Sequence, residues 1–167
     1  MNGGVMTESL NFAEIIVQRN MGVRGDIVGV TEDDLLEIEK ISSLKMPGVY
    51  REFLMDCGKK AGIFGETLNI FFPEILELPA EFDEIMAEEG EGDLLPAGAF
   101  IFCGLGMWFD FFICDGVRNP RIYRANPELG VIKDMGINFL EYFMLLVETG
   151  GRLDDPYHVE RFGRSTD

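Results

Sequence analysis

Apolar positions recur along this chain with two different periods, and the changes of period mark its elements. Phe12, Ala13, Ile15, Ile16 and Val17 are spaced for a short helix after Leu10, with a strand as the alternative. Gly22, Gly25 and Gly29 then punctuate a linker. Thr31 precedes Glu32-Asp33-Asp34, a hydroxyl cap followed by three acids at the favourable end of a helix dipole, and Leu35, Ile38 and Ile41 form one apolar stripe. The clearest local pattern follows. Pro47 suits a first helical turn, where its missing amide proton has no partner to lose, and Tyr50, Phe53, Leu54 and Cys57 stand at i, i+3, i+4 and i+7. Gly58 is predicted to close this helix in a left-handed conformation, with Lys59 and Lys60 near the negative end of its dipole.

Beyond residue 60 the period shortens. Leu68 to Phe72 reads as a strand stopped by Pro73, and Pro79 opens a second helix with Phe82, Ile85 and Met86 on its inner side. Ala99 to Cys103 and Met107 to Cys114 are two aromatic strands joined through Gly104-Leu105-Gly106. In the second, both alternating faces are largely apolar, so it is predicted to be central and covered on both sides. Pro120 to Arg124 gives another strand, Gly130 to Lys133 a short one, and Asn138 to Val147 a closing helix. The pattern therefore predicts a single domain of mixed helices and strands at 26–151. Residues 1–25 form a leader and linker, and 152–167 a polar tail.

Length and composition leave that picture standing, since 167 residues with 47% hydrophobic side chains suffice for one sizeable core. Charge changes it more. Fourteen basic against 30 acidic side chains give −16, which disfavours binding to nucleic acid or an anionic membrane. Between Ala61 and Val117 there is no Lys or Arg but there are twelve acids, nine of them from Glu74 to Asp93. Glu81, Asp83, Glu84, Glu88, Glu89, Glu91 and Asp93 thus form either a solubilising surface or an electrostatic landing face for a basic protein. Trp108 is either core or an interface anchor.

Candidate chemistry is thin. The single His158 lies in the tail, so neither a catalytic triad nor a two-histidine metal site can be assembled. Gly104-Leu105-Gly106 lacks the rest of a dinucleotide loop, and Glu88 to Asp93 lacks the register of a calcium loop. Asp110, alone among aromatics, is the one carboxylate worth watching, either as a site residue or as a buried acid bonded within the fold. Cys57, Cys103 and Cys114 are odd in number and lack CxxC spacing, which fits reduced core thiols in a cytoplasmic protein. No apolar run approaches the roughly 20 residues of a membrane span, and the first residues do not resemble a signal peptide.

From Val30 to Thr149 the chain resembles the SUKH superfamily, which includes yeast cell-wall synthesis regulators and bacterial immunity proteins. The likeness is carried by Glu37 and Glu39, and by Leu44, Pro47, Tyr50, Phe53 and Leu54, although two residues here separate the Leu from the Pro. It continues through Cys57-Gly58, Leu95-Pro96-Ala97-Gly98, Trp108 to Asp115, Pro120-Arg121-Ile122-Tyr123 and Asn138 to Phe143. The resemblance implies an α+β domain, with a mainly antiparallel central sheet flanked by N-terminal helices and a C-terminal helix, and it implies no catalytic residues; no cofactor is expected. For the bacterial branch it implies neutralisation of a nuclease or deaminase toxin by direct binding. The expected function is therefore a non-enzymatic protein-binding module, an immunity protein whose partner is a basic toxin domain. A regulatory scaffold for cell-wall synthesis or signalling is the alternative.

Overall fold

Two helices of the chain open by the same device. Thr31 Oγ1 accepts the Asp34 amide at 3.0 Å while the Asp34 carboxylate accepts the Thr31 amide at 2.9 Å. Asn138 Oδ1 likewise accepts the Glu141 amide at 2.9 Å, and Glu141 returns the bond at 3.1 Å. Each reciprocal pair satisfies donors that the first helical turn would leave unbonded. These caps fix the starts of α2 (Glu32–Ser42) and α5 (Phe139–Glu148) in a computed structural model that describes residues 11–90 and 94–149. Among the described residues the other α-helices are α1 (Phe12–Gln18), α3 (Gly48–Cys57) and α4 (Leu78–Glu88).

The main sheet is an antiparallel meander of β3 (Ala99–Leu105), β4 (Trp108–Ile113), β5 (Arg121–Asn126) and β6 (Val131–Asn138), in that spatial order. Two short strands, β1 (Ile27–Val28) and β2 (Lys60–Ala61), pair separately. The α+β class and antiparallel sheet agree with the sequence reading. β4 is interior, and Phe109, Asp110, Phe111 and Phe112 are all buried, as its two apolar faces predict.

Tyr50 and Phe53 of α3 enter an aromatic cluster with Phe100, Phe102, Phe112 and Phe139, at ring separations of 5.1 to 6.1 Å around Tyr50. This cluster cements α3 and α5 to one face of the sheet. Phe12 of α1 packs edge-on against Phe53 and Phe143, so the helix placed in the leader shares the domain's core. On the other face, Phe82 of α4 meets Phe109 edge-to-face at 5.3 Å.

Several local expectations need correction. Leu68 to Phe72 is not a strand: only Asn69 bridges to the sheet, exchanging bonds of 3.0 and 2.9 Å with Gly104. The alternation was informative, because Leu68, Ile70 and Phe72 are buried, but they are buried from a loop. Gly104 and Leu105 belong to β3, and the hairpin loop is Gly106-Met107, with Gly106 at φ 65. Gly58 is right-handed at φ −69. What demands glycine there is proximity, since a Cβ would lie 2.7 Å from the Leu54 carbonyl oxygen. Strand β6 runs to Asn138, beyond the predicted Lys133, because its mixed polar residues form an edge and hide the periodicity. His158 and the predicted tail lie outside the described residues.

Candidate functional site: the acidic helix and the groove beside it

A short 3-10 turn, Glu74–Glu77, leads into α4, and Pro79 occupies its first turn. Leu78, Phe82 and Met86, spaced by four, face inward. Leu78 can come close to β3 because residue 104 is glycine: a Cβ there would stand 2.9 Å from Leu78 Cδ2. With the apolar stripe fixed, the remaining positions must point to solvent. Glu74, Glu77, Glu81, Asp83, Glu84, Glu88 and Glu89 are all exposed. Glu91 and Asp93 lie outside the described residues.

This face works against its own helix. Glu77, Glu81, Glu84 and Glu88 follow one another at spacings of four, three and four, where like charges repel by a few tenths of a kcal/mol per pair, about 0.2 to 0.5. Glu88 closes α4, Glu89 caps it, and no basic residue occupies the last turn. Carboxylates at this negative end of the dipole are unfavourable. The ion pairs of the described residues lie elsewhere: Arg51–Glu39, Lys59–Asp34, Arg118–Glu52, Arg121–Asp134 and Arg124–Asp110. A surface kept at such local cost is a place to look for function.

The two other site residues separate from this helix. Trp108 is half-buried at the end of the sheet, with the Lys133 ammonium 6.0 Å from its ring centroid. Strand alternation directs it away from the face on which Phe109 meets α4. Asp110 is not at the surface at all, with 0% exposure. Arg124 binds it bidentately, Nε to Oδ1 at 2.7 Å and Nη2 to Oδ2 at 2.9 Å, and Tyr142 donates its hydroxyl to Oδ2 at 2.6 Å. Asp110 therefore pins β4, β5 and α5 together and makes no surface contact, which removes it as a partner-binding residue. Burial disfavours the Arg124 cation, but the adjacent Asp110 charge and hydrogen bonds outweigh this and hold the guanidinium above its ordinary pKa. Burial, reinforced by Asp110, pushes the Tyr142 hydroxyl and the Cys103 thiol up. Burial also raises the Cys57 thiol, and with Asp115 and Glu39 it raises Cys114 to about 11. All three cysteines are free, Cys114 being only half-buried.

Beside α4 lies a feature the sequence did not announce. A groove of about 440 Å³ lies against β3 at Ala99, Phe100 and Ile101, and is lined as well by Ile41 and Leu44, by Leu76, Pro79 and Asp83, and by Leu95. Its walls come from segments far apart in the chain, so no local spacing could reveal it. Two further clefts, of about 600 and 340 Å³, are lined in part by Arg118 with Glu52 and by Arg121. The arginines in their walls are already ion-paired, Arg118 with Glu52 and Arg121 with Asp134. Among the described residues, no group of three or more His, Cys, Asp or Glu side chains is placed to hold a metal ion. No helix among them is long and apolar enough to cross a membrane.

The architecture defines an α+β domain whose most distinctive surface is a carboxylate-covered helix beside an apolar groove. The family described as SMI1 / KNR4 family (SUKH-1) matches residues 29–144, and the chain belongs to that family. Compared with curated proteins and with solved structures, the chain shows no significant match.

Proposed function

We propose that this chain is a non-enzymatic binding protein of the immunity type, which acts in the cytoplasm by covering a basic toxin domain of the nuclease or deaminase class. The observation that carries the proposal is the unpaired carboxylate face of α4, Glu81, Asp83, Glu84, Glu88 and Glu89, with the 74–77 turn extending it. Enzymes that act on nucleic acid present basic surfaces to their substrates, and an acidic face competes for the same surface. Membership of the SMI1/KNR4 (SUKH-1) family is consistent with this role. Glu91 and Asp93 extend the acidic run in sequence, and Trp108 supplies a separate aromatic contact point.

Affinity capture from the native host tests the proposal, comparing the wild-type chain with a variant carrying Glu81→Lys, Glu84→Lys, Glu88→Lys and Glu89→Lys. The expected result is a basic toxin domain retained by the wild type and lost by the variant, with co-expression of the wild-type chain restoring growth to cells that express the toxin. A cell-wall or signalling protein in its place would turn the assignment to a regulatory scaffold. Equal retention of the same partner by both chains would contradict the acidic face as the binding surface.

A further inference from the structure

The two outer edges of the sheet are built differently. Strand β6 carries Lys133 and Asp134 at its edge, the latter held by Arg121 at 2.7 Å, and charged side chains of this kind discourage another strand from pairing there. Strand β3, Ala99-Phe100-Ile101-Phe102-Cys103-Gly104-Leu105, has no charged residue. Its outward polar groups can be assigned by alternation. Gly98 O accepts the Cys114 amide at 2.8 Å, so residue 98 faces β4, residue 99 faces away, residue 100 faces β4 and Ile101 faces away. Gly104 also faces away, because its amide and carbonyl bond Asn69. The odd count between 101 and 104 is absorbed by the register shift between Ile101 and Cys103. Asn69 thus covers one end of this edge. At the other end the Ala99 amide is bonded to Pro96 O at 3.3 Å, which leaves the Ala99 carbonyl and both polar groups of Ile101 on the outer edge; Ala99 is half-buried and Ile101 buried, and both line the groove.

We propose that the groove along β3 receives an extended, basic segment of the partner protein, added as a strand to the edge at Ala99 to Ile101. The inference rests on the acidic-face assignment and specifies how that face is used. Outward backbone groups select an extended peptide, since only a strand can meet their spacing. The apolar walls at Ile41, Leu44, Leu76 and Leu95 accept alternate side chains of that strand. Asp83, reaching into the groove from α4, and the neighbouring Glu84 select Lys or Arg at the intervening positions. Lys40 and Lys45 are exposed and adjacent in sequence to the lining residues Ile41 and Leu44, so the acidic selection comes from Asp83 and Glu84.

The probe is the peptide Lys-Val-Lys-Ile-Lys-Val-Lys, titrated at up to millimolar concentration into the isotopically labelled full chain and followed by amide chemical shifts. Shifts should concentrate at Ala99 to Phe102 and at Asp83. At about ten times Kd, the Ile101 amide should exchange about tenfold more slowly. Ala80→Trp, an exposed helix position that fills the groove, should weaken binding more than about tenfold, and N-methylation of the peptide backbone should abolish it. If the N-methylated peptide binds equally well and shifts only α4, the groove proposal fails while the acidic-face assignment stands. If a counterpart with Glu in place of Lys binds equally well, the acidic-face assignment itself fails. Absence of any shift also overturns the groove as a partner site.

Discussion

Helices α3 and α4 are nearly the same length, ten and eleven residues, and both begin near a proline and bury one apolar stripe. They differ in what happens to their polar faces. On α3, Arg51 binds Glu39, and Glu39 also accepts the Met46 amide at 2.8 Å, tying the α2–α3 connection into a closed loop. Glu52 takes both of its bonds from Arg118, at 3.0 and 2.8 Å. The charges of α3 are thus engaged within the fold. Those of α4 have no such partners, repel one another, and sit against the helix dipole. The comparison teaches that buried residues identify this fold, whereas the candidate function lies where the surface charge has been left uncompensated.

The largest effects should come from the buried side of the comparison. Phe53→Ala, which empties a fully buried site touching five other rings, should cost about 3 to 5 kcal/mol in chemical denaturation. A loss below about 1 kcal/mol would show that the aromatic cluster can collapse around the gap. Asp110→Ala should cost a similar 3 to 5 kcal/mol, roughly, because it leaves the Arg124 guanidinium buried without its counter-charge. An unchanged melting temperature would mean that the Arg124–Asp110–Tyr142 arrangement does not hold the sheet to α5.

How much of this was legible in the sequence depends on the range of the interaction. The α3 stripe, the Thr31 cap and the two-faced strand β4 are local patterns, and the chain displays them openly. Asp110 stood out as an anomaly among aromatics, but its partners Arg124 and Tyr142 lie 14 and 32 residues away, and no spacing rule pairs them. Leu68 to Phe72 showed true alternation, yet only Asn69 finds a ladder partner, since burial on alternate sides does not require a strand neighbour. The groove is the least legible feature, being made where 41–44, 75–83 and 95–101 converge. The acidic run was evident from composition. That its members on α4 are exposed and outside the ion pairs of the described residues required the structure.

Smaller effects sharpen the contrast by their sign. Glu52→Gln should lower stability by up to about 1 kcal/mol through loss of the Arg118 pair. Glu88→Gln should instead raise it by about 0.3 to 1 kcal/mol, relieving repulsion with Glu84 and with the dipole. Matched denaturation curves decide the point, and a shared sign would erase the distinction between the two helices.

The pH response should also separate engaged from unengaged acids. Bonding to the Thr31 amide, and then to Lys59, holds the Asp34 carboxyl at about 2, below its ordinary 3.8. Because the folded-state value is depressed, the stabilisation is full above about 3.8 and is lost as pH falls towards about 2. Asp34→Asn should flatten the acid limb of a thermal-stability profile in that window. An identical limb in both proteins would show that Asp34 is not coupled to folding.

The central claim concerns the carboxylates of α4, and association kinetics with the captured partner at graded ionic strength test it most directly. Stopped-flow rates for the wild type should fall steeply as salt is added. The variant with Glu81, Glu84, Glu88 and Glu89 all changed to Lys should associate about 10- to 1,000-fold more slowly at low salt and lose most of that salt dependence, with its circular dichroism unchanged. Equal rates and equal salt slopes for the two proteins would contradict the account.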